Sequence, residues 1–342
     1  MTYIRLHTIR RAGLLLVLLL AAPLTPVWGQ EKLPLIVRMG DVSINKIPFL
    51  VALDQGLYEK NGLDLTMIPY SSGAATTHGI PDAVPAEVRE IGQDAQITVG
   101  GGAPGIVGMV NRSEPSDRVI LSTTDHVVRW HIVAREGINT LEDLKGKRIG
   151  ISGISACTGY IATMLAKRMG WDPVQDIAIL GGNYSVTPLQ KGWVDAAIFY
   201  EIPLAMALKA GYKPIADLRS WNEPMLCSGV WASRSWASNN RETVHRFLKS
   251  LVEAIAMMKQ DKTVAFQAIS KWYKFTDYEM QGIIYNGAVE MPRAPYPNVE
   301  GIKKTMELYD SNAMRRYKAE DFYDDSFIRE LDESGYIDSL YE

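Results

Sequence analysis

The chain has 342 residues, 47% of them hydrophobic and 22% charged, with a formal charge of −3. These ordinary globular values exclude a disordered chain and leave room for one large or two medium domains with a real core. The acidic balance argues against nucleic acid as a partner.

The first segment stands apart. "MTYIRLHTIRRAGLLLVLLLAAPLTPVWGQ" carries Arg5, Arg10 and Arg11, runs apolar over residues 14–22, and leaves through a proline-containing stretch. A basic start, a short apolar core and a small-residue exit form the pattern of a secretory signal peptide. The apolar run is shorter than the roughly 20 residues that a membrane-spanning helix needs. Val27 and Gly29 place cleavage before Gln30, whereas a cut after Ala22 would be followed by Pro23. Residues 1–29 are therefore expected to be removed, and the mature chain then carries a formal charge of −6. Arg10 and Arg11 leave the twin-arginine route open beside the general one, which the leucine-dense core suits better. No cysteine lies at the exit to take a lipid, and no later segment is apolar enough to span a bilayer. A soluble protein outside the cytoplasm is expected.

Past the leader, "LPLIVRMGDV" reads as a strand. "KIPFLVALDQGLYEKNG" reads as one helix, with Pro48 in its first turn and Gly62 as its stop. "LDLTMIPY" and "AQITVGG" are strands, and the glycines of the second pass into the short helix "APGIVGMVNR". "RVILSTT" and "RWHIVARE" follow as two strands with no helix between them. "TLEDLKG" is a short helix opened by Thr140 and Asp143 in a capping-box pattern. "RIGIS", a helix from "SACTGY", "DIAIL", "VTPLQKG" and "AAIFY" continue the alternation, which argues for a mostly parallel α/β sheet. Beyond residue 235 the chain turns helical. Val244, Phe247, Leu248, Leu251 and Ile255 recur at helical spacing behind an Asn239–Glu242 cap, and "MPRAPYPN" is a loop.

Strand follows strand twice, over residues 118–136 and 213–236. Two such breaks mark places where the chain crosses between lobes. One lobe would then be continuous over 125–227, and the other assembled from 30–124 and 228–342. Only Cys157 and Cys227 are available for a disulfide. An extracytoplasmic setting allows that bond, but two isolated buried residues is the favoured reading. The five histidines show no i, i+4 pair and none adjoins a cysteine, so no metal site is expected.

Ligands of open α/β sheets lie beyond the carboxyl ends of strands, where helix starts offer unpaired N–H groups to an anion. Three joints fit: "SSG" with Ser72 and Gly73, "GGGAP" with Gly102 and Ala103, and "SGISACT" with Ser155, Cys157 and Thr158. Capping alone explains any one of them equally well.

Taken together, three segments resemble the nitrate/sulfonate/taurine-type (SsuA/THI5-like, NMT1-like) solute-binding proteins of ABC importers, a group that includes pyrimidine-precursor binders. They are Gly56-Leu57-Tyr58-Glu59-Lys60-Asn61-Gly62-Leu63, "TLEDLKGKRIGIS" and "LQKGWVDAAIFYEIPLAMALKAG". The resemblance implies the type II periplasmic-binding-protein fold, two α/β lobes joined by two crossing strands around a ligand cleft. It also implies a monomer, no cofactor, a permease partner in the inner membrane and a periplasmic location. The "SGISACT" joint would face the cleft. Further candidates are Ser43 and Lys46, Thr124 and His126, Asn183 and Tyr184, and Tyr200 with Glu201, which stand where the family tends to have Trp-Asp. For Lys46 the plainer reading is a solvated helix-start charge, and for Tyr200 packing. The segment 70–95 is longer than its family counterpart and holds two prolines.

Three functions compete. The first is a binding protein that closes on a small organic anion (a sulfonate, taurine, nitrate or a carboxylate), or alternatively on a thiamine pyrimidine precursor or other heteroaromatic. The second is a pyrimidine-synthase-like enzyme on the same scaffold, though that enzyme depends on clustered cysteines and these two are isolated. The third is a sensor subunit. No generic nucleophile, zinc or phosphate-loop signature is present.

Overall fold

The structure, a computed structural model, describes residues 31–40, 43–68, 95–113, 116–154 and 156–342, with Ile68 and Glu201 described through their backbones. The expected leader lies outside these residues.

The first sheet opens with β1 (Leu33–Met39), in which Leu35, Val37 and Met39 point into the core at the two-residue period of a strand. A 3-10 turn (Ile44–Lys46), α1 (Ile47–Asp54) and α2 (Leu57–Lys60) lead to β2 (Leu63–Ile68). The single helix read from the sequence is thus broken in two. Gly56 adopts φ 65°, a left-handed conformation that an α-helix cannot contain. β3 (Ile97–Gly100), α3 (Gly102–Val110) and β4 (Arg118–Ser122) follow. After β4 the chain passes to the second sheet. That sheet comprises β5 (His131–Ala134), β6 (Arg148–Gly150), β7 (Ala178–Leu180), β8 (Ala196–Phe199) and β9 (Pro214–Asp217). Its helices are α4 (Cys157–Arg168), α5 (Val186–Gln190) and α6 (Glu201–Lys209). The chain then returns to the first sheet as β10 (Gly229–Ser233).

The strand orders are β2-β1-β3-β10-β4 and β7-β6-β8-β5-β9. Both sheets are mixed, where a mostly parallel sheet was expected. β10 runs antiparallel to β3 and β4, and β5 runs antiparallel to β8 and β9. The cause is topological. β5 and β10 each enter from the other sheet, so they start where the neighbouring parallel strands end.

In the second sheet the alternate residues of β8 divide the helices between two faces. Ala196 and Ile198 pack with Ile161 and Leu165 of α4, whereas Ala197 and Phe199 pack with Leu189 of α5 and Leu204 of α6. Helices α4 and α6 therefore flank the sheet from opposite sides.

The remainder is helical: α7 (Arg234–Asn239), α8 (Arg241–Gln260), α9 (Lys262–Tyr273), α10 (Tyr278–Ala288), α11 (Val299–Leu308), α12 (Ser326–Glu333) and α13 (Tyr336–Ser339). The expected stripe of α8 is buried throughout, and Phe247 stacks on Tyr58 with ring centroids 5.5 Å apart. The Asn239 cap is not formed: Asn239 is the last residue of α7, and α8 begins after Asn240. The "TLEDLKG" box does form, around a 3-10 turn. The Asp143 carboxylate accepts from the Asn139 and Thr140 amides at 2.9 and 3.0 Å, and the Thr140 hydroxyl accepts from the Asp143 amide at 3.3 Å. Among the described residues no helix is long and apolar enough to cross a membrane.

Candidate ligand-binding site

The two connections between the sheets, residues 123–130 and 218–228, lie side by side. Val127 bridges Pro224, the Val128 amide donates to the Glu223 carbonyl at 2.9 Å, and the Met225 amide donates to the His126 carbonyl at 3.0 Å. The Asn298 side-chain amide donates to the carbonyls of His126 (2.8 Å) and Met225 (2.7 Å), stitching the pair from outside. The carboxyl ends of β1, β3, β4, β6 and β8 all run toward this seam, where the class of sheet places its ligands.

A buried polar cluster occupies the seam. Lys46 has no exposed surface. Its ammonium donates to Ser43 Oγ (2.9 Å), Asn45 Oδ1 (2.8 Å) and Ser228 Oγ (3.1 Å). The solvated helix-start reading of Lys46 is therefore overturned, because the turn before α1 directs the side chain inward against the second connection. The Thr124 hydroxyl, 2% exposed, donates to the Asn45 carbonyl at 3.2 Å. Next to it, Asp125 is 3% exposed and its Oδ1 accepts from the Ser228 amide at 3.2 Å. Burial pushes the Asp125 carboxyl up to about 6, against the opposing pull of Arg129, the Ser228 amide and Lys46. Its Oδ2 has no hydrogen-bond partner among the described residues.

An aromatic wall adjoins the cluster. Tyr200, the residue before α6, is packed between Trp130 (centroids 4.9 Å apart) and the Arg129 guanidinium, 5.4 Å from the ring centre. The Gly287 carbonyl in α10 accepts from both Arg129 Nη1 (3.1 Å) and Tyr200 Oη (3.3 Å). Arg129 is also 3.4 Å from Glu290. Burial works against the Arg129 charge, but Tyr200, Asp125 and Glu290 outweigh it and raise its pKa.

At the third joint, Cys157 and Cys227 form a disulfide with Cα atoms 5.6 Å apart. This overturns the reading of two isolated thiols, and with it the thiol of Cys157 as a ligand contact. The start of α4 abuts the second connection, a proximity that no local pattern encodes. The Thr158 hydroxyl is buried and accepts from the Ser152 amide at 3.0 Å, so it holds the loop that precedes the helix. Ala156 supplies no side-chain cap to α4. The Asn183 amide group donates to the Gly181 carbonyl at 2.8 Å, beside this joint.

The "GGGAP" joint is differently employed from what its sequence suggests. The Ala103 amide donates to the Leu226 carbonyl at 2.8 Å, and Gly102 presses on the Leu226–Cys227 backbone. Those two residues dock the second connection. Ser72, Gly73 and Ser155 lie outside the described residues, as does the side chain of Glu201. Asn45, Asp125, Arg129, Ser228 and Gly287 were missed by sequence reasoning. Asp125 and Arg129 did carry a signal, two charges in the short stretch "STTDHVVRW" that joins consecutive strands. Two open surface grooves of about 610 Å³ lie away from the seam, one against Arg135 and Tyr212, the other against Arg234 and Tyr317. Among the described residues, no group of three His, Cys, Asp or Glu side chains is placed to hold a metal ion.

Two mixed α/β lobes joined by paired connections define the periplasmic-binding-protein fold. The structure is similar to the periplasmic aliphatic sulphonate binding protein SsuA from Escherichia coli, with TM-score 0.61 and 17% identity over 84% of this chain and 93% of that one. The chain belongs to the NMT1/THI5-like family, whose model matches residues 43–265. It is also similar to the periplasmic nitrate-binding protein NrtA from Synechocystis PCC 6803 (TM-score 0.68, 12% identity, 91% of each chain). A third similar structure is the desulfurization enzyme DSZB (TM-score 0.59, 16% identity, 89% of this chain and 99% of that one). No curated protein sequence matches the chain.

Proposed function

We propose that this protein is the solute-binding component of an ABC importer, exported to the periplasm, that captures a small organic anion as its lobes close. The observation that carries this reading is the convergence of strand ends from both sheets on one buried polar seam, in a chain of the NMT1/THI5-like family. The lobes would be residues 125–227 and, assembled from both ends, 30–124 with 228–342. The α4 start, which has no side-chain cap from Ala156, supports an anion held by backbone amides. Similar proteins that bind sulfonate and nitrate favour the same class of solute. Closure follows from differential binding, since a solute touching both lobes stabilises the closed form. The permease of the inner membrane would be the partner and a monomer the working form.

A second reading has its own support. The Tyr200–Trp130 wall and Asp125 Oδ2, buried with no hydrogen-bond partner among the described residues, suit an amino-bearing heteroaromatic such as a pyrimidine precursor. The synthase-like enzyme has less, because both cysteines of the chain are joined in one bond. A thermal-shift panel of sulfonates, carboxylates, nitrate and pyrimidines separates these readings. A true solute at 100 times its Kd adds about 2.7 kcal/mol to stability. Sulfonate or carboxylate hits are expected. A hit confined to pyrimidines would replace the anion, and turnover of any hit would replace the binding protein by an enzyme.

A further inference from the structure

The lobes touch along two flanks, and the two are not held alike. On the α4 flank, Lys167 Nζ donates to the Leu308 carbonyl of α11 at 3.2 Å. The Tyr160 and Tyr309 rings lie 6.0 Å apart, and Arg168 pairs with Glu223 at 3.1 Å. The disulfide is on this flank. Cys227, the last residue of the continuous lobe, is fixed in place by the first lobe: Leu226 before it is held by the Ala103 amide, Ser228 after it by Lys46, and β10 begins at Gly229. Cys157 is the first residue of α4, whose Ile161 and Leu165 are anchored in the second lobe.

On the other flank α6 packs against α10, and among the described residues no covalent link crosses it. Lys209 of α6 pairs with Asp277 at the start of α10, both well exposed, and Tyr200 and Arg129 reach Gly287 and Glu290. An exposed pair of the Lys209–Asp277 kind is weak, because water screens both partners.

Two adjacent connections permit bending in more than one direction. A third covalent attachment on one side removes the rotation that would part that side. We propose that the Cys157–Cys227 disulfide is a strap that keeps the α4 flank shut, so that the cleft opens at the α6–α10 flank and solute passes Tyr200 and Arg129. The role of this motion in uptake rests on the solute-binding reading; the motion itself does not.

The test needs no solute. Spin labels are attached through a ketone-bearing unnatural amino acid at two exposed pairs, Lys167 with Lys303 and Ala210 with Glu279, and inter-label distances are measured by pulsed electron resonance. In the oxidised protein, the 210–279 pair is expected to show a second, longer-distance population and the 167–303 pair a single narrow one. In Cys157→Ser/Cys227→Ser, or after reduction, the 167–303 pair gains a longer population as well, with the circular-dichroism spectrum retained.

Opening of the α4 flank in the oxidised protein would overturn the proposal, as would a 210–279 pair without a second population. A 167–303 distribution indifferent to the disulfide in a folded protein does the same. Should the variants not fold, the two oxidised distributions decide alone. A panel without hits would defeat the solute-binding reading and leave these distances standing.

Discussion

Asp125 is the residue with the most at stake in the seam. It is buried beside Lys46 and Arg129, and its carboxyl is pushed up to about 6 chiefly by the loss of water. The folded state therefore keeps its proton through a range in which the unfolded chain, near the ordinary carboxylate value of about 3.9, has released it. The stabilisation this gives is complete below pH 4 and is lost as pH rises toward 6. Over that interval the wild type is expected to lose up to about 3 kcal/mol relative to Asp125→Asn, because each tenfold change in proton affinity is worth about 1.36 kcal/mol. Urea unfolding of both proteins from pH 4 to 7 measures the difference. Parallel profiles would mean that the carboxyl is already ionised at pH 4. Neighbouring Lys46 shows why residue type alone misleads. A lysine before a proline-led helix reads as solvated, and three hydrogen bonds to Ser43, Asn45 and Ser228 bury it instead.

Among the elements, α3 has a start closely committed to the second connection. Gly102 adopts φ 29°, and a Cβ there would collide with the Leu226 carbonyl oxygen and lie 2.5 Å from the Cys227 backbone. Backbone cannot step aside as a flexible side chain would. Gly102→Ala is expected to destabilise by about 1–3 kcal/mol and to lower the melting temperature, through overpacking at the second connection. A melting temperature within error of the wild type would show that α3 can tilt away at no cost. Helix α4 was legible as a helix and as a joint. What faces it was not legible, since Cys227 lies 70 residues along the chain. The one-helix reading of residues 46–62 failed for a local reason. Apolar spacing runs on through Gly56, and the spacing carries no record of the glycine's left-handed backbone.

For the molecule as a whole, the disulfide encloses a loop of 70 residues that contains three of the five strands of the second sheet, β7 to β9. Loop-closure entropy gives such a cross-link roughly 4 kcal/mol. Cys157→Ser/Cys227→Ser is thus expected to unfold at markedly lower denaturant while keeping its secondary structure, which equilibrium unfolding followed by circular dichroism would record. A shift under about 1 kcal/mol would show that the loop is already ordered in the unfolded ensemble. The two-lobe organisation also accounts for the strand directions. β5 and β10 each start at the connections, so they must run against their parallel neighbours.

The order of strands and helices, the stripe of α8 and the two places where strand meets strand were open to reading because each rests on local periodicity or on its interruption. So was the family, carried by short segments whose residues are contiguous. The tertiary structure alone decided that Lys46 is buried, that Cys157 meets Cys227, that the Ala103 amide serves Leu226, and that Arg129 and Tyr200 share the Gly287 carbonyl. Each of these joins residues far apart in the chain. Such contacts are fixed by how two sheets dock across their connections, and a one-dimensional pattern holds no record of that docking.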